Sequence, residues 1–482
     1  MYRRTKIVAT LGPASESEAM LLALMEAGAD VFRLNFSHGD QAGKTVLIKR
    51  LRDLSIQRRQ AVAILADLQG PKIRTGRMKD GELLLTAGQE VVITTREVLG
   101  ADGVIPTSYR NLPGDVKPGD SILLDDGLLE LQVLAVSDDE VRCRALVGGL
   151  LKDRKGINLP GVKVSIPAMT AKDHDDLRFC IEQEIDYVAL SFVQQASDVL
   201  ELREILYQQK SGMRVIAKIE KPQAVDDFDA ILAASDGIMV ARGDLGVEMS
   251  PEKVPLIQKR IIRKCNAAGK PVITATQMLE SMIHNPRPTR AETSDVANAI
   301  LDGTDAIMLS GETASGKYPV EAVSLMVRVA RDVEQDPVLK EKAYHPIPEV
   351  LGYRRLPEAI GQAACRLAET VGAAGILAFT QTGSTAALVA KYRPDLPIFA
   401  ITPSHYARRR LALYGGVRSI RVDIEGDTEA QIRSVEQAVL SAGVLQRGDV
   451  VVITMGSPVS SPGTTNLLKV HRLGTGDFYE VH

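Results

Sequence analysis

The sequence predicts an α/β protein: a (β/α)₈ TIM barrel with an inserted small β-barrel lid domain and a C-terminal α/β domain. Three observations predict this fold: eight strand-like runs separated by helical patterns, one long gap between two of them, and a second alternation near the end of the chain. The 482 residues suit about three domains of roughly 150 residues each. With 45% hydrophobic and 25% charged residues, the chain has the composition of an ordinary globular protein.

Eight short apolar runs predict the barrel strands. Six of the seven spacings between their starts lie between 23 and 34 residues, which suits one strand and one helix each. Gly237–Ala241 is almost wholly apolar, as is typical of a strand buried on both faces. Eight such parallel units favour a closed barrel over the alternative, an open doubly wound sheet. The predicted strands are Lys6–Thr10, Asp30–Asn35, Ala61–Asp67, Asp186–Ser191, Arg214–Glu220, Gly237–Ala241, Pro271–Thr276 and Asp305–Ser310.

The remaining spacing, 125 residues between the starts of the third and fourth strands, indicates an insertion. Turn signals such as Asp102-Gly and Asp126-Gly alternate there with strand-like runs, which predicts a small antiparallel β domain. A mobile domain at the carboxyl face of a barrel is well placed to act as a lid. The chain re-enters helix near Thr170, whose hydroxyl is expected to cap it.

A second alternation of strands and helices follows a junction at Asp336–Arg355. Its strand candidates are Gly375–Thr380, Pro397–Thr402, Arg418–Val422, Asp449–Thr454 and Leu467–Arg472. The predicted domains are therefore residues 1–70 with 168–340 for the barrel, 71–167 for the lid, and 350–482 for a C-terminal regulatory domain.

Composition excludes several classes of partner. The net charge of −3 gives no general attraction to nucleic acid or to an acidic membrane, and the absence of tryptophan disfavours stacking on single strands. The four cysteines are far apart in sequence, so neither a zinc motif nor a disulfide framework is expected. The N-terminal apolar run is too short for a signal peptide, and no stretch approaches ~18 apolar residues. We expect a cytoplasmic protein with no nucleic-acid or membrane partner.

Polar side chains stand at the carboxyl ends of the predicted barrel strands, the face where active sites of such barrels lie. Residues two apart on a strand share a face, so Lys218 and Glu220 are expected to point together. The strand ends carry Arg33, Asn35, Ser37 and His38 after the second strand, Asp67 after the third, Lys218 and Glu220 after the fifth, Arg242, Gly243 and Asp244 after the sixth, Thr276 after the seventh, and Ser310 and Glu312 after the eighth.

Two carboxylates among these residues, Glu220 and Asp244, come from neighbouring strands. Hard oxygen ligands of this kind suit Mg²⁺ or Mn²⁺. Lys218 and Arg33 beside them form a cationic patch for an anionic substrate. Taken one at a time, each of these residues could have a purely structural role, as part of a surface ion pair, in a turn or in a strand. Their conjunction at successive strand ends, under a lid, favours phosphoryl or enolate chemistry.

Six sequence blocks resemble one family, pyruvate kinase, and the resemblance covers essentially the whole chain. It implies transfer of the phosphoryl group of phosphoenolpyruvate to ADP, giving pyruvate and ATP in the last step of glycolysis. The ending Gly463–His471 resembles bacterial members. The six blocks are Thr5–Ala14 (TKIVATLGPA), Arg33–Gly39 (RLNFSHG), Ala217–Glu220 (AKIE), Met239–Glu248 (MVARGDLGVE), Ala275–Met282 (ATQMLESM) and Met308–Ala314 (MLSGETA).

The resemblance implies a role for each matching residue. Lys218 would stabilise the phosphoryl group in flight, and Arg33 would bind the phosphate of phosphoenolpyruvate. Glu220 and Asp244 would hold Mg²⁺, with a second Mg²⁺ arriving with ADP. The remaining roles are these: Gly243, Asp244 and Thr276 would meet the substrate carboxylate, Thr276 would also join a proton relay, and Asn35, His38 and Arg74 would face the nucleotide phosphates.

Two positions depart from the family pattern. Its monovalent-cation site matches Asn35, Ser37, Asp67 and the carbonyl of Leu68 here, but Lys72 replaces the glutamate of potassium-requiring members. A tethered ammonium ~4 Å from Asp67 would be worth roughly 4 kcal/mol at an effective dielectric near 20, so K⁺ is expected not to be required. The alternative is that Lys72 is only a solvated loop charge. At the second position, Gln195 stands where relatives often place a nucleotide-contacting lysine.

The loop Thr380–Thr385 lies between a predicted strand and helix, where hydroxyls and backbone N–H groups form an anion site. Its candidate residues are Thr380, Thr382, Gly383, Ser384 and Thr385. The alternative is simple helix capping by Ser384 or Thr385. In the family this loop holds the phosphate of an allosteric effector. Because the chain lacks tryptophan and has Ala442 where a second-phosphate arginine is used, a monophosphate such as AMP or a sugar monophosphate is expected, in a homotetramer.

Two other functions remain open from the residues. One is a metal-dependent barrel lyase that handles pyruvate enolate, which the inserted lid and the region of Arg74 disfavour. The other is a catalytically silent sensor of phosphorylated metabolites using Thr380–Thr385, which the intact Lys218, Glu220 and Asp244 disfavour. Turnover that depends on ADP separates the three readings.

Overall fold

The computed structural model describes residues 2–336, 355–423, 428–456 and 465–474. Most of the predicted junction at Asp336–Arg355 lies outside these residues. No helix within the described ranges is both long and apolar enough to cross a bilayer. The four cysteines are buried free thiols.

Eight parallel strands close into a barrel, as the sequence predicts. Each strand pairs with the strands before and after it in the chain, and Lys6–Leu11 pairs with Ala306–Leu309 to close the ring. The third and fourth strands pair directly, with Tyr187 opposite Leu65, so the insertion leaves the ring unbroken. The barrel strands are Lys6–Leu11, Val31–Asn35, Ala63–Asp67, Tyr187–Leu190, Arg214–Ile219, Gly237–Ala241, Val272–Ala275 and Ala306–Leu309.

The barrel helices begin and end at recognisable caps. Ser17 accepts a hydrogen bond from the Met20 amide at the start of the first helix, and Gly28 ends it with φ 117°. Thr170 caps the helix after the insertion, as predicted, in a reciprocal capping box with Asp173. The main helices are Glu18–Ala27, Gln41–Gln57, Ala171–Glu182, Ala196–Gln208, Pro222–Asp226, Phe228–Ala234, Arg242–Glu248, Val254–Ala268, Arg290–Leu301, Gly311–Ala314 and Pro319–Gln335, with 3₁₀ turns at Pro251–Lys253 and Glu280–Ile283.

The inserted segment forms a six-stranded sheet and a two-stranded sheet around a separate hydrophobic core. All its strand pairs are antiparallel except one, Val92 beside Val104. The predicted turn at Asp126-Gly is present, with positive φ at Asp125, Asp126 and Gly127. The strands are Glu82–Leu85, Glu90–Thr94, Val104–Pro106, Ser121–Leu124, Leu129–Val136, Glu140–Val147, Gly149–Lys152 and Ile157–Asn158, with one short helix at Leu112–Asp115.

The C-terminal domain is a five-stranded sheet flanked by helices. Four strands are parallel, and the last, Thr465–Arg472, runs antiparallel to Val450–Gly456. The other strands are Val417–Arg421, Ile398–Thr402 and Gly375–Phe379. The helices are Arg355–Thr370, Ser384–Lys391, His405–Arg410 and Thr428–Ser441, with a 3₁₀ turn at Leu411–Leu413.

The C-terminal domain contacts the inside of the barrel. Ala412 and Leu413 join the cluster of buried side chains that the barrel strands point inward. The buried ammonium of Lys6, in the first barrel strand, donates to the carbonyl of Val417 at 2.7 Å. The hydroxyl of Tyr187 donates to the carbonyl of Arg410 at 2.7 Å. The two domains therefore share one continuous packed region.

Candidate active site

Four predicted site residues meet at the carboxyl ends of the barrel strands. The ammonium of Lys218 lies 2.8 Å from Oε1 of Glu220 and 3.1 Å from Oδ1 of Asp67. Arg33 pairs with the other oxygen of Asp67, with Nε at 2.7 Å and Nη2 at 2.6 Å. These four side chains are hereafter the rim cluster. Its two carboxylates, Asp67 and Glu220, are buried, and its two cations, Arg33 and Lys218, are only slightly exposed.

Ion pairs within the rim cluster stabilise the charged forms of its side chains. Burial alone would raise the pKa of Asp67, but Lys218 and Arg33 outweigh it and hold that pKa below its usual value. Burial disfavours the charged form of Lys218, yet Asp67 and Glu220 raise its pKa above the usual value. Burial and the charge of Asp244 raise the pKa of Glu220, and Lys218 offsets only part of this. Glu220 is thus the member of the cluster that gains most from a further cation.

Ser191, which is not among the predicted site residues, completes the cluster. Its hydroxyl accepts a hydrogen bond from Lys218 at 2.8 Å and donates to the carbonyl of Leu68 at 2.8 Å. The amide of Phe192 donates to Oε2 of Glu220 at 2.6 Å. A signal was present in the sequence, because Ser191 is the polar residue that ends the predicted fourth strand, at the face where barrel active sites lie.

Thr276 and Gly243 form a second part of the rim. Thr276 lies in the left-handed region with φ 71°. Its hydroxyl donates to the carbonyl of Ala275 at 2.6 Å and accepts from the amide of Gly243 at 2.7 Å. A side chain at position 243 would lie 3.3 Å from the Thr276 hydroxyl, so only glycine permits this approach without displacement.

Asp244 lies in the first turn of the helix Arg242–Glu248, and its charge acts on both Glu220 and Lys218. Among the residues that the structure describes, no group of three or more His, Cys, Asp or Glu side chains could hold a metal ion. A metal here would rest on the two carboxylates Glu220 and Asp244 and on non-protein ligands. Two carboxylates completed by substrate oxygens and water are the donor set that Mg²⁺ favours.

The predicted nucleotide residues lie outside the rim cluster. Asn35 stands opposite Asp67 in the sheet, and its side chain accepts from the amide of Ser37 at 2.9 Å. His38 is exposed on the following turn. Arg74 donates to the carbonyl of Arg154 at 3.1 Å. In the described part of the chain, neither His38 nor Arg74 has a side-chain hydrogen bond or ion pair with the cluster.

Lys72 does not contact Asp67, contrary to the expected separation of ~4 Å. Its ammonium lies 3.9 Å from Oδ1 of Asp126, in the inserted segment; the Lys72 side chain is partly exposed and that of Asp126 is exposed. Asp67 is instead neutralised by Arg33 and Lys218. The reason is geometric, because barrel closure brings those two cations to Asp67, while the loop carries Lys72 out toward the inserted sheet.

A buried charged pair joins the inserted segment to the barrel. Lys221 lies 2.7 Å from Oε1 of Glu248, and the side-chain amide of Asn158 donates to the same oxygen at 2.8 Å. Asn158 belongs to the inserted sheet, whereas the other two residues belong to the barrel. This contact fixes the inserted segment against the carboxyl face.

The C-terminal loop Thr380–Thr385 is an ordered turn before a helix. The amide of Gly383, which has φ 98°, donates to the hydroxyl of Thr380 at 2.9 Å. The hydroxyl of Thr382 donates to that of Ser384 at 3.2 Å. Thr385 bonds the hydroxyl of Thr465 at 3.0 Å, so it is already engaged. The exposed hydroxyls of the turn are those of Thr382 and Ser384.

The fold and the rim define a (β/α)₈-barrel enzyme that acts on an anionic substrate. Family models agree and are more specific. Residues 2–323 match the barrel domain of pyruvate kinase, and residues 358–471 match its alpha/beta domain. The chain belongs to the pyruvate kinase family, whose enzymes are phosphotransferases.

Individual relatives agree with this assignment. A pyruvate kinase of Geobacillus stearothermophilus is 50% identical over 474 residues, which cover 98% of this chain and 80% of the relative. One of Staphylococcus epidermidis is 47% identical over 98% of this chain and 81% of the relative. A crystal structure of a pyruvate kinase from Cryptosporidium parvum matches with a TM-score of 0.90 at 40% identity, covering 98% of this chain and 96% of that one. The reaction implied is phosphoryl transfer from phosphoenolpyruvate to ADP, giving pyruvate and ATP.

Proposed function

We propose that the rim cluster carries a Mg²⁺-dependent phosphoryl transfer from phosphoenolpyruvate to ADP that does not require K⁺. The observation that supports this most directly is Lys218, whose ammonium is held between Asp67 and Glu220 at a strand end. Phosphoryl transfer is catalysed mainly by positioning and by charge stabilisation of the moving group. A fixed positive charge with little freedom to move suits that task.

Arg33 binds the phosphate of phosphoenolpyruvate in this proposal, and Lys218 stabilises the phosphoryl group in flight. Asp67 contacts both cations and therefore fixes their separation. Thr10 accepts a further hydrogen bond from Nη1 of Arg33 at 3.0 Å, which limits rotation of the guanidinium. The substrate then meets two preorganised positive charges, with no cost for ordering them.

Glu220 and Asp244 are the proposed ligands of Mg²⁺, with Mn²⁺ as the alternative ion. Their carboxylates fit this role because burial and repulsion by Asp244 raise the pKa of Glu220, so that a nearby cation would stabilise its charged form. The ion, when bound, neutralises charge on the phosphoryl oxygens. Lys218 stays beside Glu220 and keeps the cluster from carrying excess negative charge before the ion binds.

The substrate carboxylate binds at Gly243, Asp244 and Thr276 in this proposal. After phosphoryl transfer, the enolate of pyruvate takes one proton at its methylene carbon. The hydroxyl of Thr276, itself too weak an acid to act alone, passes that proton along a relay that includes water. Asn35, His38 and Arg74 face the nucleotide phosphates.

Independence from K⁺ is proposed on two grounds. Lys72 stands where potassium-requiring members have glutamate, so the loop carries a positive rather than a negative charge. Its present ion pair with Asp126 is long and partly exposed, and such pairs contribute little, about 0–1 kcal/mol. That weak pair leaves the positive charge of Lys72 largely uncompensated, and in this proposal that charge takes the place of K⁺.

The experiment is pyruvate formation from phosphoenolpyruvate, ADP and Mg²⁺, with and without K⁺ at matched ionic strength. We expect turnover in both conditions and its loss in Lys218→Met. Turnover only with K⁺ would keep the reaction and reject the role of Lys72. No ADP-dependent turnover in either condition would reject the proposed function and favour the sensor reading.

We further propose a phosphorylated effector, AMP or a sugar monophosphate, at Thr380–Thr385 in a cytoplasmic homotetramer. The exposed hydroxyls of Thr382 and Ser384 lie at the start of the helix Ser384–Lys391 and support an anion site. Thr382→Glu would place a negative charge in that turn and should abolish activation while sparing basal turnover. An unchanged response to both effectors would reject this loop, and sedimentation velocity would test the tetramer.

A further inference from the structure

The turn that carries Thr276 has a backbone conformation that its own side chain disfavours. Thr276 and Gln277 both have positive φ, 71° and 53°. A β-branched residue rarely adopts this region, because its side chain crowds the backbone there. The conformation persists only if surrounding groups hold it, and those groups then decide where the Thr276 hydroxyl lies.

Arg242 is the side chain that holds this turn. Its Nη2 donates to the carbonyl of Thr276 at 2.7 Å, and its Nε donates to the carbonyl of Ala275 at 3.3 Å. Nη2 also lies 2.7 Å from the sulfur of Met278, which is fully buried. One planar guanidinium thus contacts three successive parts of the turn, a geometry that lysine cannot reproduce.

Asp295 fixes the guanidinium from the other side. Its Oδ1 lies 2.7 Å from Nη1 of Arg242, and the Arg242 side chain is only 12% exposed. Asp295 belongs to the helix Arg290–Leu301, so the turn is tied through Arg242 to the body of the barrel. Arg242 also immediately precedes Gly243, whose amide donates to the Thr276 hydroxyl.

We propose that Arg242, anchored by Asp295, is a positioning residue for the proton transfer that converts the methylene carbon of the enolate into the methyl group of pyruvate. This inference rests on the proposed role of Thr276. When pyruvate forms, the electron pair of the enolate C=C bond makes the new C–H bond, the relay supplies the proton, and the enolate oxygen becomes the ketone. Arg242 acts by holding the Thr276 hydroxyl in place and does not itself exchange a proton.

The test follows this proton step in the absence of phosphoryl transfer. Enolisation of pyruvate in D₂O with Mg²⁺ exchanges its methyl protons for deuterium, which NMR measures directly. We expect Arg242→Gln to lower the exchange rate at least about tenfold, Arg242→Lys to lower it nearly as much, and Asp295→Asn to lower it less. Arg203→Gln is the matched control, because Arg203 also donates to a carbonyl, that of Ala234, and pairs with Asp236, but its side chain is exposed.

A double-mutant comparison shows whether Arg242 acts through Thr276. In a Thr276→Ala background, we expect Arg242→Gln to change the exchange rate less than about twofold. An equal loss in both backgrounds would overturn the inference while leaving the proposed function intact. Wild-type exchange in Thr276→Ala would overturn both the role of Thr276 and the inference. Circular dichroism melting of each variant separates misfolding from a positioning effect.

Discussion

Replacing Lys218 by methionine tests the central charge of the rim cluster. The ammonium lies within 3.1 Å of Asp67 and 2.8 Å of Glu220, so it is fixed in position. A unit charge ~4 Å from a phosphoryl oxygen contributes roughly 4 kcal/mol at an effective dielectric near 20. Since ~1.4 kcal/mol corresponds to a tenfold change in rate, Lys218→Met should lower kcat about a thousandfold.

The assay is steady-state pyruvate formation under saturating Mg²⁺, phosphoenolpyruvate and ADP. Lys264→Met is the matched control, because it removes the same charge from an exposed pair with Asp229 and should leave kcat unchanged. A loss smaller than about tenfold in Lys218→Met would refute the electrostatic argument, because screening by the neighbouring carboxylates would then cancel most of the charge.

Three further predictions follow from individual contacts. Ser191→Ala removes the hydroxyl that accepts from Lys218 at 2.8 Å, and should lower kcat about tenfold in the same assay. Lys72→Glu replaces the positive charge of the loop by a negative one and should make turnover K⁺-stimulated by about tenfold or more, measured at matched ionic strength. Glu292 accepts hydrogen bonds from Ser281 and Thr289, which outweigh burial and lower its pKa below 4.5. Its ionised form therefore stabilises the fold above pH ~4.5, and that stability is lost as the pH falls through the lowered pKa, so the gap in melting temperature between wild type and Glu292→Gln should narrow on acidification.

For each of these three variants, one outcome would contradict the prediction. Unchanged kcat in Ser191→Ala, with the exposed Ser315→Ala as reference, would show that Lys218 needs no help from the hydroxyl. K⁺-independent turnover in Lys72→Glu would reject the tethered-charge argument, with the exposed Lys79→Glu as the control for added negative charge. A melting gap for Glu292→Gln that stays constant with pH would show that Glu292 does not titrate differently in the folded state.

The barrel was predictable because its strands are short, apolar and regularly spaced. The predicted Gly237–Ala241 agrees at both ends with the observed strand, and the other barrel strands differ from their predictions by one or two residues at an end. Burial on both faces leaves a strong signal in composition. Residues two apart along one strand share a face, so the approach of Lys218 to Glu220 follows from their spacing alone.

Other features of the site depend on contacts that spacing does not encode. Lys218 reaches Asp67 across an intervening strand, which only closure of the barrel determines. The direction of the Lys72 side chain depends on how the inserted sheet packs against the barrel. The sequence contains no pattern that predicts where such a long, flexible side chain points. Nothing in a threonine predicts the left-handed conformation of Thr276, because the residue disfavours it and Arg242 maintains it from elsewhere.

The docking of Ala412 and Leu413 into the barrel interior has a consequence for truncation. These side chains complete the packing beneath the strands, and Lys6 satisfies the carbonyl of Val417 from within the barrel. A chain cut after residue 336 would expose that apolar interior to water and remove the carbonyl that Lys6 donates to in the full chain. We therefore expect the barrel to be insoluble or molten when expressed alone, so that the smallest unit able to fold already includes the domain proposed to regulate it.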